Sequence, residues 1–106
     1  MVVLCEEQIV GYANFYEADY GDHCSIGNLI VHPQYRNQGV ATYLIGKMER
    51  LARDKYAAKE SHLSCFEVNQ KGLVLYQKLG YVSYALERRE KRNGDFALLI
   101  EMKKLL

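Results

Sequence analysis

The amino-acid sequence predicts a mixed α/β (α+β) fold: a mostly antiparallel sheet with helices packed on it, in the order β-β-β-α-β-α-β-β. Two observations carry this reading. Six short runs rich in β-branched and aromatic residues are separated by turn residues, and two segments, 39–56 and 70–79, follow a helical period instead. A third bounds the architecture. The chain has 106 residues, one proline (Pro33) and no low-complexity stretch, so residues 1–106 are expected to form one continuous domain.

Val2-Val3-Leu4 and Ile9 to Tyr16 read as two strands, parted by the polar Glu6-Glu7-Gln8. Polar residues and glycine from Asp19 to His23 make a loop, and Ser25 to Val31 returns as an apolar strand. His32-Pro33 stops it, because proline has no N–H to give a ladder. Apolar side chains at Val40, Ala41, Leu44, Ile45, Met48, Leu51, Ala52 and Tyr56 then form a stripe with a period of about 3.6 residues, with Lys47, Glu49, Arg50, Arg53 and Asp54 off it. His62 to Val68 is a strand, and Gln70 to Leu79 a second helix ended by Gly80 as a left-handed cap. Tyr81 to Glu87 and Phe96 to Met102 are strands around a charged turn that carries Asn93-Gly94, a strong hairpin signal.

Composition excludes several classes. A formal net charge of +1 gives no reason to expect nucleic acid or an anionic membrane as partner. No apolar run reaches the length of a membrane span, and the N-terminus lacks the basic-then-apolar plan of a signal peptide. Cys5, Cys24 and Cys65 are odd in number and lack C-x-x-C spacing, which points to reduced thiols, a cytoplasmic location and no metal site.

The stretch Leu29-Ile30-Val31-His32-Pro33-Gln34-Tyr35-Arg36-Asn37-Gln38-Gly39-Val40-Ala41-Thr42 carries the most chemistry. A strand ends, and a turn with glycine opens a long amphipathic helix. The first turn of such a helix has backbone N–H groups without internal partners and the positive end of the helix dipole, so it suits an anion such as a diphosphate. Gly39 has no Cβ and Ala41 only a methyl, which leaves the backbone approachable. Many folds share this arrangement, and spacing alone does not choose among them.

Arg36-Asn37-Gln38-Gly39-Val40-Ala41 resembles the R/Q-x-x-G-x-G/A signature of the GNAT N-acetyltransferases, set after a strand ending in L-x-V-x-P. Asn69, Tyr76 and then Leu79-Gly80-Tyr81 resemble that family's second landmark, and Phe96-Ala97-Leu98-Leu99 its closing strands. The resemblance covers nearly the whole chain. It implies that acetyl-CoA is the co-substrate and that a primary amine of a small molecule or protein is the acceptor. It further implies that Leu29, Ile30 and Val31 pair with the pantetheine amides as an added strand. The signature residues Arg36, Asn37, Gln38, Gly39, Val40, Ala41 and Thr42 would bind the cofactor, with backbone N–H groups from Asn37 to Thr42 around the diphosphate. Asn69 would hydrogen-bond the pantetheine arm, and Tyr76 would lie near the thioester sulfur as the catalytic proton donor. Asn69 and Tyr76 are seven apart and share a helix face if the helix starts near Asn69.

An amine with an ordinary pKa of about 10.4 must lose a proton before it attacks a thioester. The base stays open. In some relatives a glutamate stands five residues before the asparagine; here that position is Ser64, and Glu67, His32, Glu17 and Asp19 are further candidates. The family's usual first strand and two helices have no counterpart before the hairpin at Met1. An apolar face left bare by them would be covered by a second copy, so a homodimer is expected. The alternative function is a catalytically weak or inactive acyl-CoA-binding module that acts as a sensor or subunit.

The remaining features have plain readings. Arg88, Arg89, Lys91 and Arg92 flank a solvated turn, and His23 and His62 lack metal-like spacing with Cys, Asp or Glu. Most of the nine tyrosines pack with the hydroxyl at the edge of the core, while Tyr12, Tyr16 and Tyr20 are candidates for an acceptor pocket.

Overall fold

The computed structural model describes residues 1–106 and holds six strands and two helices: β1 (Val2–Cys5), β2 (Gln8–Asp19), β3 (His23–Val31), α1 (Val40–Tyr56), β4 (Glu60–Phe66), α2 (Gln70–Lys78), β5 (Val82–Glu90) and β6 (Phe96–Leu105). The chain divides into two units, residues 1–61 with Leu106, and residues 62–105. Strand order is β1-β2-β3 in the first and β4-β6-β5 in the second, with β4 beginning two residues before the division. The pairs β1–β2, β2–β3 and β5–β6 are antiparallel. The predicted order of elements and the mostly antiparallel sheet are therefore found.

In the first unit, α1 lies on the face of β2 that carries Gly11, Ala13 and Phe15. A Cβ on Gly11 would come 2.7 Å from Val40 Cγ1 and 3.0 Å from Leu44 Cδ1, so the helix entrance sits nearly on the strand backbone. Leu44, Ile45, Met48 and Ala52 are the buried stripe of α1, four of the eight positions that the periodicity selects. Cys24, Ala52 and Ala58 form a second core cluster, with Phe15 edge-on to Tyr56 beside it. Burying side chains the size of Leu44, Ile45 and Met48 contributes about 1.5–3 kcal/mol each.

The β2–β3 ladder is irregular twice. Tyr12 pairs with Ile30 and Asn14 with Gly27, so Asn28 and Leu29 both stand opposite Ala13. Phe15 pairs with Ile26 and Glu17 with Ser25, which leaves Tyr16 as an extra residue on β2. Its ring lies on Gly27, where a Cβ would come 2.6 Å from Tyr16 Cδ1.

In the second unit, Leu63, Cys65, Tyr81, Leu99 and Met102 are buried. β5 is exposed along nearly its whole length. Gly80 ends α2 at φ 98°, as its position predicts.

Element boundaries differ from the sequence reading in physical detail. Gly39 is the N-cap of α1 at φ 83°, so the helix starts at Val40. β2 and β3 run to Asp19 and from His23, which shortens the expected loop to Tyr20-Gly21-Asp22. The fourth strand is Glu60–Phe66 rather than 62–68, because Glu67 and Val68 turn the chain into α2. Asn93-Gly94 does not form a two-residue hairpin. Only Gly94 is left-handed (φ 86°), and the five residues 91–95 close through Lys91 N–H to Asp95 O at 2.6 Å. The two-residue turn is instead at Glu6-Glu7, both left-handed at φ 50° and 68°.

Candidate functional site

β3 ends at Val31, and the chain crosses a 3₁₀ turn, Pro33–Tyr35, before α1. His32 caps that turn: its Nδ1 accepts the Gln34 N–H at 3.1 Å, and its ring stacks edge-on to Tyr35. Arg36 turns back, its Nε donating to Val31 O at 3.4 Å, and Gln38 Nε2 donates to Gln34 O at 3.1 Å. Two predicted cofactor residues thus spend side-chain donors on their own loop. What the loop presents outward is backbone.

Asn37 (φ 63°) and Gly39 (φ 83°) are both left-handed. The first intrahelical bond of α1 is Tyr43 N–H to Gly39 O at 2.9 Å, so the N–H groups of Val40, Ala41 and Thr42 precede it. No side chain caps them and no acidic residue occupies the first turn. A Cβ on Gly39 would meet nothing within 4 Å. Open space, uncapped donors and the helix dipole together fit a diphosphate.

In the second unit, Asn69 is the N-cap of α2, its Oδ1 accepting the Gly72 N–H at 3.1 Å. The Asn69 carboxamide folds over Gly72, where a Cβ would lie 2.6 Å from Asn69 Nδ2 and 3.1 Å from Cys65 Sγ. The oxygen of Asn69 is therefore engaged, and its NH₂ is the part available to a ligand carbonyl. Cys65 Sγ donates to Asn69 O at 3.7 Å. Tyr76 is half-buried and edge-on to Tyr81 at 6.4 Å between ring centroids. Burial pushes the Tyr76 hydroxyl above its ordinary pKa, and the nearby Cys65 adds to the shift. Burial likewise raises the Cys65 thiol, against a hydrogen bond from the Asn69 side chain. Both groups keep their protons at neutral pH.

Two of the candidate bases, His32 and Glu17, have their side chains engaged elsewhere. The Nδ1 of His32 already accepts a hydrogen bond. The backbone of Glu67 is bonded on both sides, its N–H to Leu98 O and its C=O from Gln70 Nε2, and its side chain stands in the turn after β4. Glu17 binds His23 Nε2 while Asp22 Oδ2 meets His23 Nδ1 at 3.0 Å. The pKa of His23 is raised first by the Asp22 hydrogen bond and then by Glu17, against partial burial. The β2–β3 hairpin also brings ligand atoms of Asp19, Asp22 and His23 within 4.8 Å of one another, a clustering that linear spacing did not disclose.

The structure thus gathers Leu29 to Thr42 into one strand-turn-helix cradle in the first unit, and Asn69 with Tyr76 along α2 in the second. Sequence reasoning missed Cys65 as a neighbour of Asn69 and Tyr76, because a strand residue and a cap beyond a turn have no fixed spacing. It also passed over Asn14 and Asn28, whose side chains bond across β2–β3 at 3.3 Å.

A model of the acetyltransferase (GNAT) family matches residues 1–81. Over 75 residues the chain is 32% identical to thialysine N-epsilon-acetyltransferase of Mus musculus, which covers 68% of this chain and 44% of that protein. The chain spans less than half the length of the curated relatives it matches. A mutant spermidine N-acetyltransferase from Vibrio cholerae superposes with a TM-score of 0.85 at 21% identity, over 98% of this chain and 63% of that one. A GNAT family acetyltransferase from Elizabethkingia anophelis with acetyl-CoA bound gives 0.81 at 20% identity, over 99% and 74%. These likenesses show a common fold.

Proposed function

The chain belongs to the acetyltransferase (GNAT) family, and from that premise we propose that residues 1–106 form one N-acetyltransferase domain, moving an acetyl group from acetyl-CoA to a primary amine of a small molecule or protein. One observation supports this above others: the open, uncapped entrance of α1 at Gly39, which fits the diphosphate of CoA. Acetyl-CoA supplies an acyl group already activated on a thiol leaving group. Backbone N–H groups from Asn37 to Thr42 hold the diphosphate, and Leu29, Ile30 and Val31 pair with the pantetheine amides. The NH₂ of Asn69 donates to the pantetheine arm.

The acceptor attacks as free amine. Backbone N–H groups near Leu29 stabilise the negative charge that develops on the carbonyl oxygen. Tyr76, kept protonated by burial, gives its hydroxyl proton to the departing sulfur. Water takes the proton lost by the amine, and the products are an amide and free CoA thiol. The relatives' names make thialysine and spermidine the first amines to try.

The engagement of His32 and Glu17 favours a second reading, an acyl-CoA-binding module with little or no turnover. Calorimetry with acetyl-CoA, followed by thiol release with an amine panel, separates the two. Binding with thiol release supports the transferase, and binding alone supports the module. No binding overturns both. We further propose a cytoplasmic homodimer, supported by three free thiols and by Leu86, Phe96 and Leu98 exposed on β5 and β6.

A further inference from the structure

Asn28 is a non-glycine residue at φ 51° in the interior of a strand, a conformation that asparagine tolerates better than most residues. It falls where two residues of β3 stand opposite Ala13 alone. Such a bulge leaves one backbone unit outside the ladder and re-aims the chain. Polar backbone there needs a partner from elsewhere. Glycine would serve the backbone equally well, so the carboxamide is what asparagine adds. That carboxamide is used: Asn28 Nδ2 donates to Asn14 Oδ1 at 3.3 Å, from strand to strand. Asn14 follows Ala13 by one residue, so the bond lies on the face of β2 turned away from α1. Tyr16, itself the extra residue of β2, lies over Gly27 on the same side. The bulge is thus held by a hydrogen bond at one step and by a ring at the next.

We infer that Asn28, clamped by Asn14, is a positioning residue for acetyl transfer: the pair fixes the bulge so that Leu29 presents its backbone to the thioester end of acetyl-CoA. This rests on the transferase reading above and extends it to a face that the cofactor motifs do not touch. Asn14 and Asn28 act through the backbone of Leu29 and need not contact the cofactor.

The test uses ¹⁵N-labelled full chain with and without acetyl-CoA, comparing the parent with Asn14→Leu, Asn28→Gly and Asn14→Asp. In the parent, amide signals of Leu29 and of residues 37–42 should move. Asn14→Leu removes the accepting oxygen, and Asn28→Gly keeps the left-handed backbone while removing the clamp. Both should retain the 37–42 response, lose at least about half of the Leu29 response, and lower kcat about tenfold or more with KM for acetyl-CoA little changed. Asn14→Asp keeps an accepting oxygen and should restore both readouts. A parent-like Leu29 response in Asn28→Gly and Asn14→Leu overturns the inference, as does loss of the 37–42 response along with it, which marks a merely structural role. No 37–42 response in the parent overturns the cofactor reading and the inference together. A parent that binds but shows no turnover overturns the transferase reading and with it the positioning role in acetyl transfer, whereas turnover with a parent-like Leu29 response in both variants overturns the clamp alone.

Discussion

The side-chain oxygen of Asn69 accepts the N–H of Gly72 at 3.1 Å, so the residue assigned to the pantetheine arm also starts α2. Asparagine has one carbonyl oxygen and one NH₂, and here the two ends have separate tasks. Asn69→Ala loses both. It should cost about 0.5–2 kcal/mol of stability and weaken CoA binding. Asn69→Asp keeps an accepting oxygen for the cap and loses the donor. Its urea midpoint should match the parent while its Kd for CoA rises, measured by denaturation and calorimetry.

Gly39→Glu tests the α1 entrance. No atom within 4 Å would clash with the new Cβ, so any cost to folding comes from φ 83°, about 1–2 kcal/mol. Gly39→Asn, which tolerates that φ better, controls for the backbone. The glutamate variant should lose CoA binding strongly and the asparagine variant much less. Equal, parent-like affinities in both would place the diphosphate elsewhere.

Tyr76→Phe keeps the ring against Tyr81 and removes only the hydroxyl. Thiolate is already a fair leaving group, and general acid catalysis is typically worth roughly a hundredfold or more. kcat should fall by up to about a hundredfold, with Kd for acetyl-CoA unchanged. Full turnover would remove Tyr76 from the mechanism, and loss of folding would make it a packing residue.

His23 gives the hairpin a pH-dependent tie to Asp22 and Glu17. Its pKa is raised in the folded state, so the charged imidazole stabilises fully below the ordinary value of 6.5, and this contribution is lost as pH rises through the raised value. Solvent screens these carboxylates, which limits the effect to about 0.2–1 kcal/mol. The difference in urea midpoint between parent and His23→Gln should therefore shrink from pH 5.5 to pH 8 (roughly the span around a histidine pKa).

The order of elements was legible because hydrophobic period and turn residues are local properties. The stripe from Leu44 to Ala52 and the cap at Gly80 were readable for the same reason. The strand, turn and helix of residues 29–42 were legible through a short motif whose physics lies in the backbone. What the sequence withheld depends on pairing. The bulge at Asn28 exists only in register with Ala13, and His23 meets Asp19 only across the hairpin. Glu6-Glu7 carries no turn signature, and only its pairing partners show that both residues are left-handed. Asn69 as a cap was within reach, since the predicted helix start at Gln70 is the observed one, whereas Cys65 beside it depends on how the chain turns from β4 into α2.

Gly11 lies under Val40, near enough that a methyl there would come 2.7 Å from Val40 Cγ1. Strand and helix entrance therefore behave as one heritable unit, though they are far apart along the chain. Gly11→Ala should destabilise by about 1–3 kcal/mol, and Val40→Ala in the same chain should recover part of it. A library randomised at both positions and selected for folding would return side-chain volumes that trade off against each other. Because Val40 is also the first residue of α1, whose entrance is proposed to hold the diphosphate, a lineage that enlarged position 11 would drift in cofactor affinity without a change in any other residue proposed to touch the cofactor.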